Sequence, residues 1–570
     1  MNSKWNVQEI FASDNVLERE IGKYRTLIID FYDRCNHIEI YDCKKIYNQL
    51  IIYEDITEFL YRVKLYITIK SYSTDTTIEN RTKRIVDEFC NCYKSKIEFF
   101  PLQISKHEEI KKVLDDRSLL NYRMYLANIF NEKRYFMNQS SEEIYKLKET
   151  TGYQALQQMY LDIFELASFK FKEYGAISYN QLLGLLNCND DTIRKKASKT
   201  LGLFLKSNND LFTSLFNYTV QDLYIDKELR GYQSIYDGVF RENEINFNDL
   251  NVLKRNIKSN CGIFQYHYRM RAKRESSAYI EGINFTSDFQ RHIDFEKALN
   301  IIIKAVGKVS SNYSNQVLKL VKEQHIDFEC KPGKQAGSIC FAATPKIMPY
   351  IFVNYNGSIN DLFTLAHEVG HAIHFMNLAS TNSFLNFIPS NLYAEIIAVF
   401  FETLVCIEYL SDEKYSQDAI LEVSDNIIGK LFRQAMNALF EISAREREGY
   451  ADKIEIEDSW LELRKDFYGD TVRFYPYEKN NYWSIPHFIC EPLLTALYSL
   501  SQMIALNLLE KKDKRNFFLC FDKFIRIGSN ESFRDFLSSN FDVSMDSDAM
   551  WENAFKILKE LISKAEDKNS

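Results

Sequence analysis

The chain has 570 residues and a formal net charge of −8, with 46% hydrophobic and 14% aromatic residues. This composition is that of a folded protein with a large core, and it excludes wholesale disorder. The sequence has no long basic block, which argues against nucleic-acid or anionic-membrane partners. No stretch reaches the roughly 18 apolar residues of a membrane-spanning helix, and eleven cysteines without a CxxC pair indicate free thiols, so we expect a cytoplasmic protein.

Helical periodicity runs almost throughout the first 330 residues. Apolar residues recur at three- and four-residue spacing in residues 60–72 and again in residues 190–225. Glycine occurs 18 times and proline 8 times, well below their usual shares of about 7% and 5%. The sequence therefore predicts a mainly α fold with long helices and few turns.

A short β segment is predicted at residues 331–357. This stretch, KPGKQAGSICFAATPKIMPYIFVNYNG, holds three of the eight prolines and three of the eighteen glycines. Such a pattern is typical of one or two strands joined by turns. The strand near MPYIFVNYNG would either bind an extended chain by backbone pairing along its edge or lie within the core, and the sequence leaves both open.

Helical spacing resumes directly after the β segment. Ser358, Asn360 and Asp361 are candidate N-cap residues, and apolar residues then recur at helical spacing from residue 362 to residue 373. Three of the nine histidines fall within the next stretch, TLAHEVGHAIHFM at residues 364–376. The histidine cluster is therefore predicted to lie on a helix that packs behind a small sheet.

The spacing of the first two histidines is that of a metal site. His367 and His371 are four residues apart, so they project from one face of the helix and can hold one metal ion. Glu368 lies beside the open coordination position, where a carboxylate can take a proton from water. This is the HExxH arrangement of zinc hydrolases. The alternative is a helix with two histidines that have only a structural role.

A catalytic zinc site usually has three protein ligands, which leaves the third to be found. His374 is a candidate, but one straight helix does not wrap three side chains around a tetrahedral ion. Glu395 within NLYAEIIAVFFE is the favoured ligand, because an acidic residue on an apolar helix face is costly unless paired or metal-bound. Glu402 on the same face is expected to accept the N–H of a ligand histidine. Ion pairs with Lys or Arg of another helix remain open for both glutamates.

The order of motifs resembles the oligoendopeptidase F branch of the thimet oligopeptidase family over residues 120–555. The motifs that carry the resemblance are GKQAG, NYNGSINDLFTLAHEVGHAIH, YAEIIAVFFE, FRQAMNALFE, YGD, YWSIPHF and IRIGS. The resemblance implies two helical lobes enclosing a deep channel, with a small β-sheet next to the zinc-binding helix. We expect residues 206–570 to form a zinc metallopeptidase catalytic domain and residues 1–205 an N-terminal helical region, with an approximate boundary.

The resemblance also implies an activity. It predicts a zinc-dependent endopeptidase that hydrolyses internal bonds of short unfolded oligopeptides. One Zn²⁺ per chain would be held by His367, His371 and Glu395, with Glu368 as the general base. His487 of the IPHF motif is expected to face the substrate across the cleft.

The sequence departs from the family pattern after the IPHF motif. Related sequences usually carry several tyrosines there, one or more of which donate to the scissile carbonyl. Here Leu493, Leu494 and Leu497 lie in that region and only Tyr498 offers a phenol, while Ile339 stands where a tyrosine is common. Two alternatives therefore remain: a catalytically weakened peptide-binding protein that keeps the fold and the zinc site, and a zinc hydrolase of a non-peptide amide.

Overall fold

Helices make up most of the chain, as the sequence predicts. The computed structural model describes residues 5–36, 42–72, 80–172, 174–186, 188, 190–278, 280–281, 292–331, 334–335, 337–447 and 449–566. The mainly α fold with a small sheet beside the predicted zinc-binding helix is thereby confirmed, and the enclosed channel between two lobes stays a prediction. Within the described residues, no helix has both the length and the apolar character needed to cross a membrane.

The helices before the histidine cluster are α1 (Asp14–Asn36), α2 (Cys43–Tyr72), α3 (Asn80–Ser105), α4 (Ile110–Asp115), α5 (Arg123–Glu132), α6 (Gln139–Glu149), α7 (Tyr153–Glu165), α8 (Tyr179–Leu186), α9 (Asp191–Ser207), α10 (Asn209–Arg230), α11 (Asp237–Glu242), α12 (Phe247–Ser259), α13 (Cys261–Arg274), α14 (Phe295–Gly307) and α15 (Ser311–Lys322). The later helices are α16 (Ile359–Ala379), α17 (Phe384–Phe387), α18 (Asn391–Asp412), α19 (Gln417–Ile428), α20 (Gln434–Arg445), α21 (Lys453–Tyr468), α22 (His487–Cys490), α23 (Leu494–Glu510), α24 (Phe517–Phe524), α25 (Phe533–Phe541) and α26 (Asp548–Ser563).

Within the described residues, seven short strands form three small sheets. The strands are β1 (Ser168–Phe171), β2 (Gly175–Ser178), β3 (Ile280–Glu281), β4 (Ile326–Glu329), β5 (Ile339–Phe341), β6 (Tyr350–Tyr355) and β7 (Val472–Arg473). Strand β6 is central in a three-stranded sheet, parallel to β4 and antiparallel to β5. Both edges of β6 are therefore taken, so the structure supports a core strand at residues 350–355 and not an edge that binds an extended chain. Of the GKQAG motif, Gly333 and Ala336 lie outside the described residues.

The buried apolar side chains form two clusters that meet at β6. One cluster is built mainly from residues 5–130, and the other extends from Tyr160 to Ala565. Because successive side chains of a strand point to opposite faces, Tyr350 and Phe352 pack into the first cluster while Ile351 and Val353 pack into the second. The proposed division of the chain at residue 205 stays a prediction.

Helix α16 carries the histidine cluster and begins where the sequence predicts. The Asp361 N–H donates to Ser358 Oγ (3.1 Å), and the Ser358 N–H donates to Asp361 Oδ2 (3.0 Å), which is a complete capping box. Further along, a Cβ on Gly370 would lie 2.9 Å from the Cα of Ala398 on α18. The missing side chain thus lets the backbones of α16 and α18 approach closely.

Candidate metal centre and active site

The three side chains predicted to bind a metal converge between α16 and α18. The Nε2 atoms of His367 and His371 are 3.1 Å apart, and the two carboxylate oxygens of Glu395 lie 3.4 Å and 3.5 Å from them. One ligand atom from each residue lies within 4.8 Å of the other two. The structure therefore brings the predicted set together, and the role of these residues as ligands stays a prediction.

This donor set fits a zinc ion. Two imidazole nitrogens and one carboxylate oxygen are the ligands of many catalytic zinc sites, which keep the fourth position open. Glu395 is only 9% exposed, and its Oε2 atom makes no hydrogen bond to any described residue. A buried carboxylate oxygen without such a partner is costly, and a cation bound among the three groups would remove that cost.

A second carboxylate orients His367. Glu402 is 2% exposed, and its Oε2 atom lies 2.9 Å from His367 Nδ1. Its Oε1 atom accepts hydrogen bonds from Asn426 Nδ2 (2.7 Å) and from Lys430 Nζ. Burial alone would raise the pKa of Glu402, but Lys430 and the hydrogen bond with His367 lower it to about 2. The anionic carboxylate holds a proton on Nδ1, which leaves the Nε2 lone pair for a metal.

Lys430, which contacts Glu402, lies in a local irregularity that the sequence did not reveal. Between α19 and α20 the chain makes one π-helical turn, Gly429–Arg433. A Cβ on Gly429 would lie 2.5 Å from the guanidinium of Arg433, so the glycine also makes room for that side chain. Glu402 therefore contacts both a histidine and a lysine, and the role of that histidine as a metal ligand stays a prediction.

Glu368 lies beside the two imidazoles in a nearly closed environment. It is 5% exposed and hydrogen-bonds to Ser338, which directly precedes β5. Burial raises the pKa of Glu368 by more than His367 and His371 lower it. A carboxylate in this setting is a stronger base than an exposed one, which suits proton transfer near neutral pH.

His374 lies outside the group of three predicted ligands. It is fully buried, and its ring packs edge-on against Tyr393 with 4.6 Å between the ring centroids. Neither ring nitrogen makes a hydrogen bond to a described residue, and burial lowers the pKa of His374 well below its usual range. Of the two third-ligand candidates, the geometry therefore favours Glu395, and His374 is a neutral packing residue.

A cavity of about 730 Å³ is lined by part of this site and by the two other predicted site residues. Its lining includes His367 and Glu368 of α16 together with His487 of α22 and Tyr498 of α23. The rings of His487 and Tyr498 lie 5.8 Å apart, and His487 Nδ1 lies 3.1 Å from Glu491 Oε2. A volume of this size is typical of a pocket for a ligand, here large enough for a short peptide segment.

The phenol of Tyr498 is kept protonated. Burial, and after it the carboxylates of Glu395, Glu491 and Glu368, raise the pKa of Tyr498 well above its usual range. The hydroxyl can therefore donate a hydrogen bond at any physiological pH. By contrast Leu493, at the family's tyrosine-rich segment, is fully buried in the larger core.

A buried ion pair holds the segment that joins His487 to α23. Glu441 Oε1 accepts from Arg445 Nε (2.8 Å) and from the backbone N–H of Leu493 (3.0 Å), while Arg445 Nη2 donates to the carbonyl of Phe488 (2.6 Å). Both side chains of the pair are fully buried. Leu493 has a φ of +63°, a left-handed conformation that this contact helps to hold. Glu441 is the last residue of the FRQAMNALFE motif. Its contact with Leu493, 52 positions further along the chain, could not be predicted from the local sequence pattern.

The chain is similar to known peptidases along most of its length. The model of Peptidase family M3 matches residues 184–557. The chain is 24% identical to an oligoendopeptidase F homolog of Borreliella burgdorferi, with 98% of this chain and 97% of that protein covered. It is 22% identical to oligopeptidase PepF of Bacillus subtilis, covering 85% and 75%. The crystal structure of oligoendopeptidase-F from Enterococcus faecium has the same fold, with a TM-score of 0.71, 16% identity and coverage of 96% and 98%.

Proposed function

Because the chain belongs to peptidase family M3, we propose that it is a zinc-dependent endopeptidase that hydrolyses internal bonds of short unfolded oligopeptides. The observation that carries the proposal is the convergence of His367, His371 and Glu395, with His367 and Glu368 lining one cavity. Residues 206–570 are the proposed catalytic domain. The cytoplasm is the proposed compartment, which the free thiols among the described residues, from Cys35 to Cys520, support.

The metal centre is proposed to hold one Zn²⁺ per chain. His367 and His371 offer Nε2 atoms and Glu395 offers a carboxylate oxygen, while Glu402 keeps the first imidazole in the correct tautomer. Zinc supplies Lewis-acid polarisation of a carbonyl and makes water an effective nucleophile at neutral pH.

The protein's own groups then move the proton and stabilise the developing charge. Glu368 accepts a proton from the attacking water and returns it to the leaving amine, a role that its burial next to Ser338 favours. His487 and Tyr498 donate hydrogen bonds to the carbonyl oxygen as it becomes negative. Their position in the lining of the same cavity supports this assignment.

Cleavage of a mixed library of short peptides, read by mass spectrometry, tests the proposal. The zinc-loaded protein is expected to cut internal bonds of these peptides, to lose that activity in a chelator, and to spare a stably folded protein. Binding of peptides without any cleavage would favour the weakened peptide-binding alternative. Cleavage that a chelator leaves unchanged would contradict a zinc enzyme, and digestion of the folded protein would contradict an enclosed site.

A further inference from the structure

The cavity has a second cluster of polar groups besides the predicted metal ligands. Trp460 and Arg464 of α21 both line it, and each is only 4% exposed. They are four residues apart and so share one face of the helix, and the guanidinium carbon lies 5.5 Å from the centroid of the indole ring. Neither Trp460 Nε1 nor Arg464 Nη1 donates a hydrogen bond to a described residue, although both atoms are buried.

Unpaired buried donors of this kind are uncommon and unfavourable. A buried N–H group without an acceptor loses its hydration and gains nothing in exchange, most severely when the group is charged. The carboxylate of Glu478 approaches Arg464 Nη2 only to 4.0 Å, beyond hydrogen-bond distance. Burial lowers the pKa of Arg464, which agrees with a guanidinium whose charge is incompletely compensated. The ring of Phe474, 3.7 Å from the guanidinium carbon, holds the group in place.

The other cations of the lining are already engaged within the protein. Lys430 donates to Glu402 and Asn426. Arg433 Nη1 donates to Asp425 Oδ1 at 3.1 Å and to the hydroxyl of Tyr268 at 2.7 Å. Among the described lining residues, Arg464 is therefore the cation best placed to accept an anionic ligand.

A third buried polar group lines the same cavity. Asn481 is 6% exposed and has an Oδ1 atom that accepts no hydrogen bond from a described residue. Together the three residues carry two unpaired donors and one unpaired acceptor. The last residue of a peptide presents the complementary set, because its two carboxylate oxygens accept and its amide N–H donates.

We propose that Arg464, Trp460 and Asn481 form a subsite for the C-terminal residue of the substrate. The terminal carboxylate accepts from Arg464 Nη1 and Trp460 Nε1, and the amide N–H of the same residue donates to Asn481 Oδ1. This inference rests on the proposed peptidase function and narrows its substrate class to oligopeptides whose free C-terminus lies within the cavity's reach of the scissile bond. An acidic side chain carries the same carboxylate, so the test must separate the two sources.

The test compares three quenched fluorescent peptides of one sequence: the free acid, the C-terminal amide, and the amide with glutamate as its last residue. For the zinc-loaded parent, kcat/KM for the free acid is expected to exceed that for the amide by about 10- to 100-fold, the effect of losing charge-assisted hydrogen bonds. In Arg464→Gln the ratio should fall close to one. Trp460→Phe, which keeps the ring and removes one donor, should lower the ratio partway. Arg269→Gln, which changes a 56%-exposed arginine on the surface, is the matched control and should keep the parental ratio.

The outcomes separate this subsite from the peptidase function itself. Equal kcat/KM for the acid and the amide with the parent would overturn the proposal, and so would a parental acid-to-amide ratio in both α21 variants. If circular dichroism shows that Arg464→Gln does not fold, the ratio measured for Trp460→Phe decides alone. Full recovery of rate by the glutamate-bearing amide would assign the cluster to acidic side chains and overturn the C-terminal assignment. If no peptide is cut, the proposed function fails, and fluorescence anisotropy of labelled acid and amide on the Glu368→Gln variant still tests the subsite by binding alone.

Discussion

Gly370 of α16 lies against the backbone of α18, where a Cβ would come within 2.9 Å of the Ala398 Cα and 3.0 Å of its carbonyl oxygen. Gly370 directly precedes His371, and Ala398 lies between Glu395 and Glu402 in the sequence. The close approach of the two helices at this point therefore sets the distance between the imidazoles of one and the carboxylates of the other.

Replacing Gly370 with alanine should disturb both stability and metal binding. Overpacking at a rigid helix contact costs about 1 to 3 kcal/mol of unfolding free energy and should move the carboxylates away from the imidazoles. Urea unfolding and zinc analysis measure the two effects. Gly22→Ala is the matched control, since Gly22 is an exposed helical glycine with nothing within 4 Å of its added Cβ, and it should gain up to about 1 kcal/mol. Parental stability and zinc content in Gly370→Ala would contradict this role.

Glu395→Ala should lose most of its zinc, because two imidazoles alone bind the ion weakly. His374→Leu should keep zinc and remain folded, since neither ring nitrogen of His374 makes a hydrogen bond that the described structure would lose. Zinc content by atomic absorption, with X-ray absorption for the coordination sphere, distinguishes the two. Full zinc in Glu395→Ala together with loss in His374→Leu would reverse the assignment of the third ligand.

Glu402→Gln should weaken zinc binding by about 10- to 100-fold. The neutral amide is a weaker acceptor for the Nδ1 proton of His367 than the carboxylate, and it no longer forms the ion pair with Lys430. Competition with a chelator of known affinity measures the effect. Glu408→Gln is the control: Glu408 is also on α18 and 2% exposed, but it pairs with Lys304 and Lys308 and lies outside the group of three predicted ligands. An equal loss of affinity in both variants would show a general effect of α18 stability and no specific role for Glu402.

His487→Ala and Tyr498→Phe should each lower kcat by about 10² to 10³ while zinc is retained, the usual effect of removing one preorganised donor. The change in KM should be smaller, because the donors act on charge that develops after the substrate binds. Steady-state kinetics with zinc measured on the same samples gives the answer. Parental kcat in both variants would remove this pair from the proposed mechanism.

The part of the site that depends on local spacing could be predicted from the sequence. His367, Glu368 and His371 lie on one helix, so a period of 3.6 residues places them directly. Glu395 could be predicted for a different reason. A carboxylate buried among apolar neighbours requires a partner, and the nearby histidines offer one.

The remaining groups depend on irregular backbone and distant contacts that carry no local pattern. Lys430, which contacts Glu402, lies in the π-helical turn between α19 and α20, and helical periodicity does not predict such a turn. The hydrogen bond from the Leu493 N–H to Glu441 joins residues 52 positions apart. The same limit applies to β6. Its apolar run does not by itself distinguish an edge strand from a central one, so only the pairing with β4 and β5 decides between them.

A zinc titration of the metal-free protein tests the central claim most directly, with hydrolysis of one short peptide followed for the parent and for Glu368→Gln. The parental rate is expected to rise in proportion to added zinc and to reach a plateau at one ion per chain. Glu368→Gln is expected to bind the same zinc and to hydrolyse the peptide at least about 10²-fold more slowly, because the general base is gone. A parental rate without metal, or a parental rate in zinc-loaded Glu368→Gln, would contradict the proposed zinc peptidase mechanism.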